Sequence, residues 1–174
     1  MEIIKTEISE IARLPKDIMK ACEDFQKQLQ KRPPQSCILT YDFAGEKFQY
    51  LPISYIEKTL NKYFFGMWQW EITESKIVVN EFVVTGNLKV LHPVTGVWLT
   101  YSGIGSSPIQ QDKGSSVSDF INTKKVKALT MGAPKANIEA FKNACKRIGK
   151  LFGQDLNRKF EEDYTPFNIK PLNE

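Results

Sequence analysis

Apolar residues recur at steps of three and four between residues 8 and 30, at Ile11, Leu14, Ile18, Cys22, Phe25 and Leu29. This spacing predicts an amphipathic helix with a break at Pro15, ended by Lys31-Arg32-Pro33-Pro34 because consecutive prolines cannot donate to a helical ladder. From Cys37 the period shortens to two: Cys37, Leu39, Tyr41 and Phe43 alternate with other residues, Ala44-Gly45 can turn the chain, and Phe48 and Tyr50 resume the pattern. A β-hairpin is expected there. Ser54 stands three residues before Glu57, the spacing of a capping box, ahead of Ile56, Leu60, Tyr63 and Phe64 on one helical face and Gly66 as a stop. Period two then returns from Met67 to Ser102 and predicts three antiparallel strands, with Gly86 marking a bulge and Pro93-Val94-Thr95-Gly96 the last tight turn. Residues 103–123, rich in Gly, Ser and Gln, read as a long mobile connection. After Pro134 a final helix turns Ile138, Phe141, Cys145, Ile148 and Leu151 or Phe152 inward. The expected fold is α+β, an antiparallel β-meander with a hairpin packed against helices, in one domain over residues 1–164 with a flexible tail at 165–174.

Length and composition agree with that picture: 174 residues, 41% hydrophobic and 25% charged, suit one core and exclude wholesale disorder. Cys22, Cys37 and Cys145 are odd in number and widely spaced, which points to reduced thiols in a cytoplasm. No apolar signal core or membrane-length run is expected to target the chain elsewhere. Enzymatic chemistry finds little support. The only Gly-Lys pair, Gly149-Lys150, precedes Leu151 rather than Ser or Thr, so no phosphate-cradling loop is present. The single histidine, His92, sits in a turn before Pro93 and reads as a satisfied or solvated side chain, and the adjacent acids Glu161-Glu162-Asp163 suit a solvated run better than a metal cage. The expectation is no enzyme, no cofactor and no metal.

Charge changes the picture in one segment. The net charge of +4 is modest, but Lys124, Lys125, Lys127, Lys135, Lys142, Lys146, Arg147 and Lys150 face a single acid, Glu139, within residues 124–150. Lys142, Lys146 and Lys150 recur every four residues, a like-charge stripe that repels itself by a few tenths of a kcal/mol per pair. A polyanion along the stripe removes that cost, and phosphate contacts supply affinity without reading sequence. The alternative is a solvated helix face. Aromatic residues crowd the hairpin and the following helix; most belong to the core, and Tyr50, just before Leu51-Pro52, is the candidate for stacking on a base.

Several strings, taken in order, resemble the annealing core of the Rad-fifty-two superfamily, which includes phage single-strand annealing proteins. Tyr50 followed by a helix that ends in Tyr63-Phe64-Phe65-Gly66-Met67-Trp68 is similar to the family's tyrosine, helix and aromatic-Gly-aromatic exit into the sheet. Thr95-Gly96-Val97-Trp98, then Ser102-Gly103-Ile104-Gly105, resembles its hairpin glycine and a strand ending in Gly-x-Gly; Lys125-Val126-Lys127-Ala128-Leu129 resembles its Lys-x-Lys-Ala-Leu segment. The run from Phe141 to Gly149 resembles its basic helix. The resemblance covers about residues 37–164 and implies a ring or helical homo-oligomer that binds single-stranded DNA and anneals complementary strands without ATP, in recombination and repair. It implies an inner DNA groove at Lys142 and Lys146, an outer site at Lys125, and a phage or mobile-element source in a bacterial host. Lys127, Arg147 and Lys150 extend the expected basic surface. Asn143 departs from the family, which has a second basic residue there, and no family arginine is matched near Thr40 and Tyr41, so Lys47 is taken as the substitute cation. A single-strand-binding protein is a further partner to test. Two other readings stay open: an assembly protein whose basic face binds a protein partner, and a single-strand RNA or DNA binder that does not anneal.

Overall fold

A computed structural model describes residues 15–158, apart from 44, 115, 117, 119 and 126. The expected helical start at residues 8–14 and the expected tail at 165–174 lie outside the described residues. The element order is α1 (Lys16–Leu29), β1 (Leu39–Phe43), β2 (Glu46–Tyr50), α2 (Ile53–Phe64), β3 (Trp68–Val78), β4 (Glu81–Leu91), β5 (Trp98–Pro108) and α3 (Ala128–Lys146), with a single helical turn at Phe120–Thr123. β1 and β2 form an antiparallel hairpin, and β3-β4-β5 form a separate antiparallel meander. The fold is α+β, as the periodicities imply.

Helix α3 lies across the inner face of β4 and β5. That face alternates cleanly: Val84, Gly86, Leu88 and Val90 on β4 are buried, while the residues between them are partly exposed. Beside them α2 contributes Ile56, Leu60 and Phe64, and the C-terminal end of the fold contributes Phe141, Cys145, Ile148 and Phe152. Trp68 and Trp70 of β3 close the core, their rings 5.7 and 5.4 Å from that of Phe141, and the Trp70 indole N–H donates to the Asn137 side chain at 2.9 Å. α1 reaches this core only through its last turns, where Leu29 is buried and Phe25 packs edge-on against Phe64 and His92.

Several expectations are corrected. β5 does not stop at Ser102 but runs to Pro108, through the stretch that composition assigns to a loop. Gly103 and Gly105 are there because α3 rides directly on the strand: a Cβ on Gly103 would collide with the Ala140 carbonyl, and one on Gly105 with the backbone of Ala136 and Ala140. Ala136, Ala140 and Ala144 complete this seam, all fully buried. The rest of the expected loop is tied at its base, where Gln111 bridges Lys124, the Lys125 N–H donates to the Gln110 carbonyl, and the Asp112 N–H donates to the Thr123 carbonyl. α3 begins at Ala128, not after Pro134, and carries the proline inside; Thr130 and Pro134 are both exposed, so the hydrogen bond that proline cannot make is lost toward water. Ile138 points outward at 39% exposure, so the buried seam of alanines replaces it as the packing surface.

Smaller differences follow the same logic. Ser54 lies inside α2, whose N-cap is Pro52; proline has no polar side-chain atom to cap with, and its carbonyl accepts from the Tyr55 and Ile56 N–H groups at the helix start. Cys37 belongs to a short 3-10 turn rather than to β1. The bulge near Gly86 is on the opposite strand, where the register shifts between Ile72 and Glu74; Gly86 itself makes room for the Trp70 ring. His92 is buried and satisfied: its Nδ1 accepts from the backbone N–H groups of Thr95 and Val94 at 3.2 and 3.4 Å, pinning the turn into β5.

Candidate nucleic-acid interface

Between the hairpin, the outward side of α3 and the turn after it runs a cleft of about 590 Å³. Strand alternation puts Leu39, Tyr41, Phe48 and Tyr50 on one hairpin face, since Leu39 pairs Tyr50 and Tyr41 pairs Phe48 in the ladder. The Tyr41 ring stacks on Phe48 at 5.7 Å and meets Tyr50 edge-on at 5.6 Å. Opposite this wall, α3 presents Lys135, Glu139, Lys142 and Lys146, spaced four, three and four residues apart and therefore on one helical face. The apolar floor includes Leu51, Ile56 and Phe152.

The two walls meet where the Lys142 ammonium lies 5.4 Å from the centre of the Tyr50 ring, a cation–π contact. It also pairs with the Glu139 carboxylate at 3.3 Å, and its side chain is only 12% exposed. One turn on, Lys146 donates to the Asn143 side-chain oxygen at 3.0 Å. Lys146 is exposed as a residue, yet neighbouring atoms crowd its ammonium. That desolvation lowers its pKa, with Glu139 acting in the opposite sense and Lys142 in the same. An anion arriving between Lys142 and Lys146 therefore meets one ammonium already paired with Glu139 and one held by a neutral amide and partly stripped of water.

The hairpin is held at the far end of the cleft by a side chain 108 residues away in sequence. The Gln49 N–H donates to the Asn157 side-chain oxygen, and the Asn157 amide donates back to the Gln49 carbonyl, both at 2.7 Å. Asn157 has φ +68°, a left-handed conformation that asparagine tolerates better than most residues.

Three of the expected site residues, Tyr50, Lys142 and Lys146, come together in this cleft. The others lie outside its lining. Lys150 does not continue the stripe: α3 ends at Lys146, Gly149 breaks the helix, and Lys150 opens a 3-10 turn where it pairs with Asp155 at 3.1 Å. Lys47 stands opposite Asp42 in the hairpin ladder, which places it on the face opposite Tyr50 and outside the cleft lining. Arg147 is exposed at the end of α3, and Lys125 and Lys127 are exposed on the connection leading into that helix. Lys135, Tyr41 and Asn157 also line the cleft, beyond the residues expected from sequence. Lys135 was legible, being seven residues before Lys142 and so on the same face; Asn157 carried no local signal.

Among the described residues no group of three or more His, Cys, Asp or Glu side chains is placed to hold a metal ion, and no helix is long and apolar enough to cross a membrane. The chain matches no family model and no curated protein.

Proposed function

We propose that the protein binds single-stranded DNA along this cleft and anneals complementary strands as a homo-oligomer, without hydrolysing a nucleotide, as a member of the Rad-fifty-two superfamily. The observation that carries the reading is the meeting of a lysine face and an aromatic face in one groove, joined by Lys142 over Tyr50. Lysines at one-turn spacing suit a repeating phosphate backbone, and a tyrosine beside them offers a stacking surface to any base. Backbone contacts leave base edges free to test a second strand, and base-pair stacking of about 1.4 kcal/mol per step then drives annealing. A net charge of +4 per chain gives a strong field once subunits repeat it. β3 supports assembly, since it borders the meander and residues 71–78 are exposed.

The test is annealing of complementary labelled oligonucleotides without ATP and with EDTA, alongside sizing of the protein. The reading expects accelerated annealing and elution far above the 20.0 kDa monomer mass. Tight binding without annealing would favour a single-strand protector. Failure to bind any single strand at low salt would leave the basic face to a protein partner.

A further inference from the structure

Resting on that reading, we infer that Glu139 is a built-in competitor for the strand: its carboxylate occupies Lys142 in the empty cleft and must be displaced by an incoming phosphate. Glu139 is the single acid among the residues lining the cleft, set within the lysine face of Lys135, Lys142 and Lys146. Its carboxylate is 3.3 Å from the Lys142 ammonium and 40% exposed, whereas the Lys142 side chain is nearly enclosed. Lys142 is therefore held between Glu139 and the Tyr50 ring, with little room for a further partner while both contacts persist. Lys146 is held differently, by the neutral amide of Asn143, which a phosphate can replace without separating opposite charges.

Two lysines one turn apart thus respond unequally to the same ligand. A phosphate at Lys146 gains a charge-assisted contact outright. A phosphate at Lys142 exchanges one anion for another, and Glu139, still nearby, repels it. The exchange keeps each nucleotide's hold weak and reversible, which suits a strand that must shift register until a complement pairs. Glu139 is in this sense a positioning residue for affinity, acting through Lys142 and touching no base.

The experiment compares wild type, Glu139→Gln and Glu23→Gln for binding of a fluorescent oligothymidylate across a salt series, with melting curves to confirm folding. Glu23 is exposed on α1 and outside the cleft lining, so its variant makes the same change in net charge elsewhere. Releasing one partly screened charge pair should tighten binding by Glu139→Gln on the order of 3- to 10-fold and slow release by a similar factor, with Glu23→Gln within about twofold of wild type. A role confined to helix stability would leave affinity equal or weaker and move only the melting curve. Unchanged or weaker binding by Glu139→Gln, or equal tightening by both variants, overturns the inference while leaving DNA binding in place. Absence of binding by wild type itself would instead overturn the proposed function.

Discussion

The seam between α3 and β5 makes opposite predictions for two glycine-to-alanine changes 27 residues apart. At Gly105 an added methyl meets the Ala140 nitrogen, the Ala136 carbonyl and the Glu139 backbone, all inside the closest approach real Cβ atoms show. These are backbone atoms of a packed helix, so the strand and helix must separate, and overpacking of this kind costs about 1–3 kcal/mol. Gly132, on α3, is also buried, but a Cβ there would find only the Ser107 hydroxyl, at 4.0 Å. Replacing a helical glycine with alanine gains roughly 1 kcal/mol from reduced backbone entropy in the unfolded chain. For a chain of this length about 1 kcal/mol moves the melting temperature by ~2–4 °C, so Gly105→Ala should melt lower by roughly 2–12 °C and Gly132→Ala higher by ~2–4 °C. Thermal denaturation at one fixed protein concentration reads both, the concentration being held because assembly would add to apparent stability. Because α3 also carries Lys142 and Lys146, Gly105→Ala should weaken strand binding as well. An unchanged or raised melting temperature for Gly105→Ala would refute the reasoning that α3 rests directly on the strand backbone.

Lys142→Ala combined with Lys146→Ala should weaken single-strand binding whatever the sequence and reduce its salt slope by about 1.4, as expected for two lost phosphate contacts, with oligomer size intact; binding titrations at several salt concentrations check it. Asn157→Ala removes both bonds to Gln49 and leaves that backbone to water, and should cost about 1–3 kcal/mol in denaturant unfolding and loosen strand binding. Burial lowers the pKa of His92, whose Nδ1 accepts two backbone N–H groups only while unprotonated. The unfolded chain takes up this proton near pH 6.5 and the folded one resists it, so the stability His92 contributes is complete above about pH 6.5 and is lost as pH falls through its lower folded value. Denaturant midpoints should fall between about pH 7.5 and 5 in wild type and fall less in His92→Gln.

The periodicities made the element types legible because each reflects one buried face: period two for the meander over Val84, Leu88 and Val90, and steps of three and four for Ile56, Leu60 and Phe64. The errors share a cause. Gly103 and Gly105 resemble loop residues in composition, yet their missing side chains answer to a helix whose first residue, Ala128, lies 23 positions beyond Gly105. Pro134 looked like a start signal because nothing local shows that its missing donor faces water. The cleft was half legible: Lys142, Lys146 and Tyr50 stood out by spacing and by position, but the parity of the hairpin ladder decided that Lys47 faces away, and parity follows from register. The clamp by Asn157 could not be read at all, since it pairs a surface asparagine with a main-chain unit on another element.

That clamp also fixes where the chain's last described residues leave the fold. Asn157 lines the cleft, and Arg158 follows it, tied back to Asp155 at 3.4 Å. Whatever is joined beyond Arg158 therefore departs from the rim of the groove, on the side where the hairpin is anchored. At the opposite terminus, Lys16 stands roughly 20 Å along α1 from the turn that buries Leu29. A fluorescent protein or purification handle fused directly after Arg158 would start from the rim of the groove, whereas one fused directly before Lys16 would start from the far end of α1.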